Sequence, residues 1–200
     1  DNEPFVHLSM ETQGLDLDQL IRAAGPTEKP TSGRITGRAA FGGYTGVPHR
    51  AYGQAELAIS DADLGNIPVI SQLYGLLNLG AGSGKPSGQG LAQLRLDGDT
   101  LVVERMHYFN RGIDIIASAA ASNIWQGAST PISGVAAGVA RPLKDSKLPL
   151  GSDLDRVLGA VFADAVSVSI GGTLQDREIK VVPFANVQGT FGRLLGTSTK

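Results

Sequence analysis

The chain has no cysteine in its 200 residues. Disulfide frameworks, thiolate metal sites and cysteine nucleophiles are therefore excluded. Net charge is nearly absent too, since 17 Lys+Arg stand against 19 Asp+Glu for a formal −2. Without a basic field, no nucleic-acid partner is expected. No run approaches the roughly 18–20 continuous apolar residues of a membrane-spanning helix. Aromatics are scarce, at 6 Phe, 4 Tyr and 1 Trp, so a core must come from Leu, Ile, Val and Ala. Start methionine and basic leader are missing from the opening Asp1-Asn2-Glu3-Pro4, which reads as an excised piece or a mature form.

What the chain does have is glycine. There are 27, about double the usual share of roughly 7%. They follow no three-residue period and punctuate short apolar runs, as in a turn-rich β protein. With 42% hydrophobic and 18% charged residues, the chain is too apolar for disorder, and its length fits one domain.

Period-2 patterning predicts strands over Phe5–Thr12, Arg34–Phe41, Gln54–Ser60, Leu91–Leu96, Thr100–Phe109, Ile113–Ala119, Val166–Ile170 and Glu178–Pro183. Asn123–Gln126 and the small-residue run Val135–Ala140, broken by Gly127–Gly134, are two further strand candidates. Asp97-Gly98-Asp99 is a hairpin turn signal. Helical spacing predicts Leu17–Ala24 capped by Asp16, Pro68–Leu79 with Asn66 near its N-cap, and Leu154–Ala163. The expected fold is mainly β with a few helices: a curved antiparallel β-sheet with two or three packed helices. Residues 1–32 lead in, 33–188 form the β-rich domain and 189–200 a flexible tail.

Catalytic and ligand motifs fail one by one. Gly80–Lys85 imitates a phosphate loop, but Leu79 stands where the first glycine belongs and Pro86 follows Lys85. His7, His49 and His107 have no metal-ligand spacing, and the Asp-x-Asp pairs Asp61/Asp63, Asp97/Asp99 and Asp153/Asp155 fit turn and capping chemistry. No metal site, cofactor or catalytic residue is expected. Trp125 reads as a packing residue.

Gly53–Leu79 combines a strand, an acidic turn at Asp61–Asp63 and a helix opened by Ile67-Pro68-Val69-Ile70. A Gly-rich loop, strands paired about Asp97-Gly98, the strand Ser169–Leu174 and Pro183-Phe184 follow. In this order the chain resembles the C-terminal region of the bacterial AsmA-like family over residues 33–188. It departs at Gln175-Asp176-Arg177, where that family often has proline.

The resemblance implies a non-enzymatic protein of the periplasm or cell envelope, anchored through a segment missing here. It implies an apolar β-groove for phospholipid transfer or outer-membrane assembly, with phospholipid acyl chains, other envelope proteins or β-edge partners as its partners. The groove candidates are Leu57, Ile59, Leu94, Leu96, Leu101, Val103, Val168 and Ile170, which the alternation places on apolar strand faces. Two alternatives remain open: a structural or protein-docking β domain in which those residues are an ordinary core, and an enzyme without a recognisable motif.

Overall fold

The structure, a computed structural model, describes residues 4–24, 31–77, 79, 88–110, 112–140 and 165–183. It is mainly β. Nine strands form one open antiparallel sheet in chain order: β1 (Phe5–Asp16), β2 (Ser32–Tyr44), β3 (Tyr52–Asp63), β4 (Gly88–Asp97), β5 (Thr100–Phe109), β6 (Ile113–Ala121), β7 (Ile132–Ala140), β8 (Val166–Gly172) and β9 (Arg177–Val182). Helix α1 (Leu17–Ala24) follows β1 and α2 (Pro68–Leu76) follows β3. The predicted helix Leu154–Ala163, the Gly80–Lys85 run and the tail 189–200 lie outside the described residues.

Each strand pairs with the next; short connections join β2–β3, β4–β5, β5–β6, β6–β7 and β8–β9, whereas α1 and α2 lie in the longer connections of β1–β2 and β3–β4. The β4–β5 turn is the tightest. Asp97 pairs with Thr100, so the two loop residues are Gly98 and Asp99, one step later than an Asp-Gly turn. Gly98 takes φ +62, as a type II′ turn asks of its first central residue. A Cβ there would also crowd the His49 carbonyl oxygen at 2.8 Å.

Most strands run longer than predicted, and in β1 and β3 residues that read as stops are bulges. In β1, two residues between Thr12 and Leu15 oppose one of β2. Gly14 there takes φ +69, a left-handed geometry that lets the strand continue. Similar bulges interrupt β3 between Ile59 and Ala62 and β5 between Val103 and Met106.

Several glycines serve a second purpose. At Gly88, Gly53 and Gly42 a Cβ would overlap or crowd the rings of Tyr108, Phe41 and Tyr52, respectively. Large rings lie over glycines, an arrangement that covers bare backbone in a sheet.

Helix α1 matches its predicted bounds. Asp16 caps it: its Oδ1 accepts from the N–H groups of Asp18 (2.8 Å) and Gln19 (3.3 Å). Helix α2 begins differently. Its N-cap is Ile67, with no side-chain bond, and Pro68 sits in the first turn. Asn66 therefore does not cap it. The helix ends at Leu76 rather than Leu79 because its last turn loosens, the Leu79 N–H reaching back to the Tyr74 carbonyl at 3.0 Å.

The predicted strand Asn123–Gln126 is instead a pair of short 3-10 turns, Ile124–Ser129, kinked at Gly127. Asn123 is left-handed at φ 53, which stops a strand. Main-chain bonds hold the segment, among them Ile124 N–H to the Asp99 carbonyl and Leu174 N–H to that of Thr130, both 3.0 Å. The lone Trp125 packs little and is 61% exposed.

Candidate functional site

The register joins the eight groove candidates on one face. Ile35 pairs with Ile59, Leu57 with Ala92, Gly53 with Leu96 and Leu94 with Val103. Leu96 pairs with Leu101, Val103 with Ala119, Ala136 with Val168 and Gly134 with Ile170. Directly paired residues point to the same side, and successive residues alternate. The bulges preserve this parity. From β1 to β8 no charged residue falls on this face, which starts with Val6, Leu8 and Met10 and continues on β9 with Ile179 and Val181.

One end of this apolar face is a closed core. Leu17, Ile35, Ala62, Leu64, Ile70, Leu73, Ile113, Ile115 and Val168 are buried together. Helix α2 reaches from β3 across to β7, where a Cβ on Gly138 would sit 3.6 Å from both Leu73 and Leu77. Val168 is therefore fully buried, an inner core residue rather than part of an open track. The other seven candidates are half-buried. At the β1 end the face is bare: Val6, Leu8 and Met10 are 50%, 53% and 52% exposed.

A buried polar cluster anchors α2 to the β5–β6 turn. The Tyr108 hydroxyl donates to the Ala62 carbonyl (3.2 Å). Asn110 Nδ2 donates to the hydroxyls of Tyr74 (2.5 Å) and Tyr108 (3.3 Å). Asn110 Oδ1 accepts from the N–H groups of Gly112 (2.8 Å) and Ile113 (3.1 Å). Burial pushes the Tyr108 phenol up to about 12, and the Tyr74 phenol upward too.

The opposite face is polar from β1 to β5. It carries ion pairs Arg38–Glu56 (2.6 Å) and Arg95–Glu104 (2.7 Å). A hollow of about 660 Å³ lies on this side; charged and polar groups such as Arg38, Glu56 and Gln93 rim it, but its lining is mainly apolar and includes Ala58, Ile116 and the exposed Leu91. An edge cluster of Phe5, Tyr44 and Tyr52 has ring centroids 5.3 and 6.2 Å apart. Across β6–β8 this second face is buried as well, at Ile116, Ala137, Val139 and Ser167. Reading one apolar face per strand missed this. The signal was the near-continuous apolar runs Ile113–Ala121 and Val135–Ala140, the pattern of strands buried on both sides.

Of the three histidines, His7 and His49 are exposed. His107 is not: its Nε2 lies 2.5 Å from Asp114 Oδ1, and both side chains are largely covered. Asp114 opposes Phe109 and Ile116 opposes His107, so the two meet diagonally on one face. Only the strand register could reveal that pair. Among the described residues no three His, Asp or Glu stand together as a metal site, and no helix is long and apolar enough to cross a membrane. Asp63, read as turn chemistry, accepts the Gly65 N–H at 3.0 Å. No family model, curated protein or solved structure matches the chain.

Proposed function

We propose that this domain is a non-enzymatic lipid-handling module of the cell envelope, whose apolar sheet face carries phospholipid acyl chains. The observation behind this reading is the uncharged face running from β1 to β8, closed by helices at one end and half-exposed at the other. Acyl chains require a continuous apolar surface without unpaired donors, and inside its edges a sheet satisfies its own backbone. The three bulges lie in alternate strands, β1, β3 and β5. Bulges bend and twist a sheet locally, and two of the three lie beside the helix-covered core, next to Ile35 and Ala62. Contact by area, without a head-group site, gives weak selectivity among phospholipids.

Protein purified from membranes tests this. Phospholipid should co-purify with the natural sequence and fall sharply for the variant Leu57→Asp with Leu94→Asp, both folded by circular dichroism. Lipid equal in both, or absent from the natural protein incubated with phospholipid vesicles, contradicts the proposal.

A second reading, a protein-docking β domain, is favoured by one observation: the β1 edge has no partner among the described residues.

A further inference from the structure

The two sheet edges differ. Strand β9 is short, carries Arg177, Glu178 and Lys180 and is followed by Pro183. Charges, brevity and proline are the usual protections against edge pairing. Pro4 precedes β1 and the Gly14 bulge interrupts it, but from Phe5 to Thr12 the strand is regular, and through Glu11 its only ionisable side chains are His7 and Glu11. Its apolar side chains Val6, Leu8 and Met10 stand half-exposed beside the free edge.

The Thr45 N–H donates to the Pro4 carbonyl at 3.1 Å, and Phe5 pairs with Tyr44. Pro4–Thr45 is thus a hydrogen-bonded pair. By alternation, residues 6, 8, 10 and 12 bond inward to β2, and Phe5, His7, Ser9 and Glu11 turn their N–H and C=O groups outward. A strand that adds here must bond to those four residues.

We propose that a second copy of this chain occupies the edge, with two β1 strands antiparallel about a two-fold axis at Ser9. An axis between residues would set outward groups against inward-bonded ones, so only residue-centred axes satisfy the backbone. Among these, the axis at Ser9 places His7 opposite Glu11 twice and Leu8 opposite Met10 twice. The axis at Leu8 sets Glu11 against Phe5, and the axis at Met10 sets His7 against Gln13. The apolar residues find apolar partners about Leu8 as well as about Ser9, so the polar pair of His7 with Glu11 is what selects Ser9. In the single chain His7 Nε2 already contacts Ser9 Oγ at 3.2 Å, which holds the ring beside the axis. The pairing joins two apolar faces into one and does not depend on lipid binding.

Sedimentation of the intact chain should show a monomer–dimer equilibrium. Ser9→Pro removes an outward N–H and leaves the β1–β2 bonds in place, so it should give a folded monomer. His7→Glu should weaken the dimer at least tenfold, and His7→Glu with Glu11→Lys should restore it. Register is read by oxidation: Ser9→Cys should cross-link to a second copy, whereas His7→Cys, facing Glu11, should not. A chain that stays monomeric, a dimer untouched by Ser9→Pro, or equal cross-linking of both cysteines overturns the proposal. If Ser9→Pro fails to fold, the charge reversal and the cysteine pair still decide it.

Discussion

Truncating Leu73 to alanine probes the closed end of the sheet. Leu73 is fully buried in α2, with a terminal methyl 3.6 Å from where a Cβ on Gly138 would lie. Three carbons leave the core, worth about 2.4 kcal/mol at roughly 0.8 kcal/mol each. The sheet backbone beneath cannot collapse into the space, so a cavity term raises the total to about 3–4 kcal/mol, within the known Leu→Ala range. For a chain of this size that corresponds to a midpoint drop of roughly 6–16 °C. Urea and thermal unfolding followed by circular dichroism measure it. Leu8→Ala is the control: at 53% exposed it should cost under about 1 kcal/mol. Equal losses for the two variants would refute the placement of α2 over β7 and β8.

Other substitutions have opposite signs. Gly138→Ala should be tolerated, since its methyl meets Ile113, Leu73 and Leu77 at 3.4–3.6 Å, whereas Gly88→Ala should destabilise clearly by striking the Tyr108 ring; paired unfolding curves decide. Asn110→Ala strips two backbone N–H groups and two phenols of a partner and should cost about 1–3 kcal/mol. The folded Tyr108 pKa of about 12 lies above the ordinary 10. Its contribution to stability is therefore complete below pH 10 and is lost as pH rises from 10 through 12; ultraviolet titration of wild type against Tyr108→Phe should show this late-ionising phenol. Arg38→Ala should change stability by under about 1 kcal/mol, because the Arg38–Glu56 pair is well exposed.

Much of the sheet was legible because strand alternation and tight turns are local signals. Clean alternation at Gln54–Ser60 and the Asp97–Asp99 turn located β3, β4 and β5 to within a few residues. The bounds of α1 followed from Asp16 and its apolar spacing. What could not be read depends on pairing between strands. Gly14 looks like a stop until β2 shows that it is a bulge. His107 and Asp114 look unrelated until the β5–β6 register brings them together. Val168 and Leu57 share the same alternation, yet only packing by α2 and its neighbours separates a sealed core position from a half-open one. Trp125 misled because its ring suggested burial, while backbone bonds hold its turn in place.

The central claim is that acyl chains lie on the apolar face. A photo-crosslinking residue placed singly at Leu57, Leu94, Gln54 or Gln93 tests it in protein mixed with phospholipid vesicles. Leu57 and Leu94 are on the apolar face; Gln54 and Gln93 are their neighbours on the polar one. Phospholipid adducts should form at Leu57 and Leu94 and be nearly absent at Gln54 and Gln93. Adducts at none of the four positions, or equally at all of them, would contradict the account.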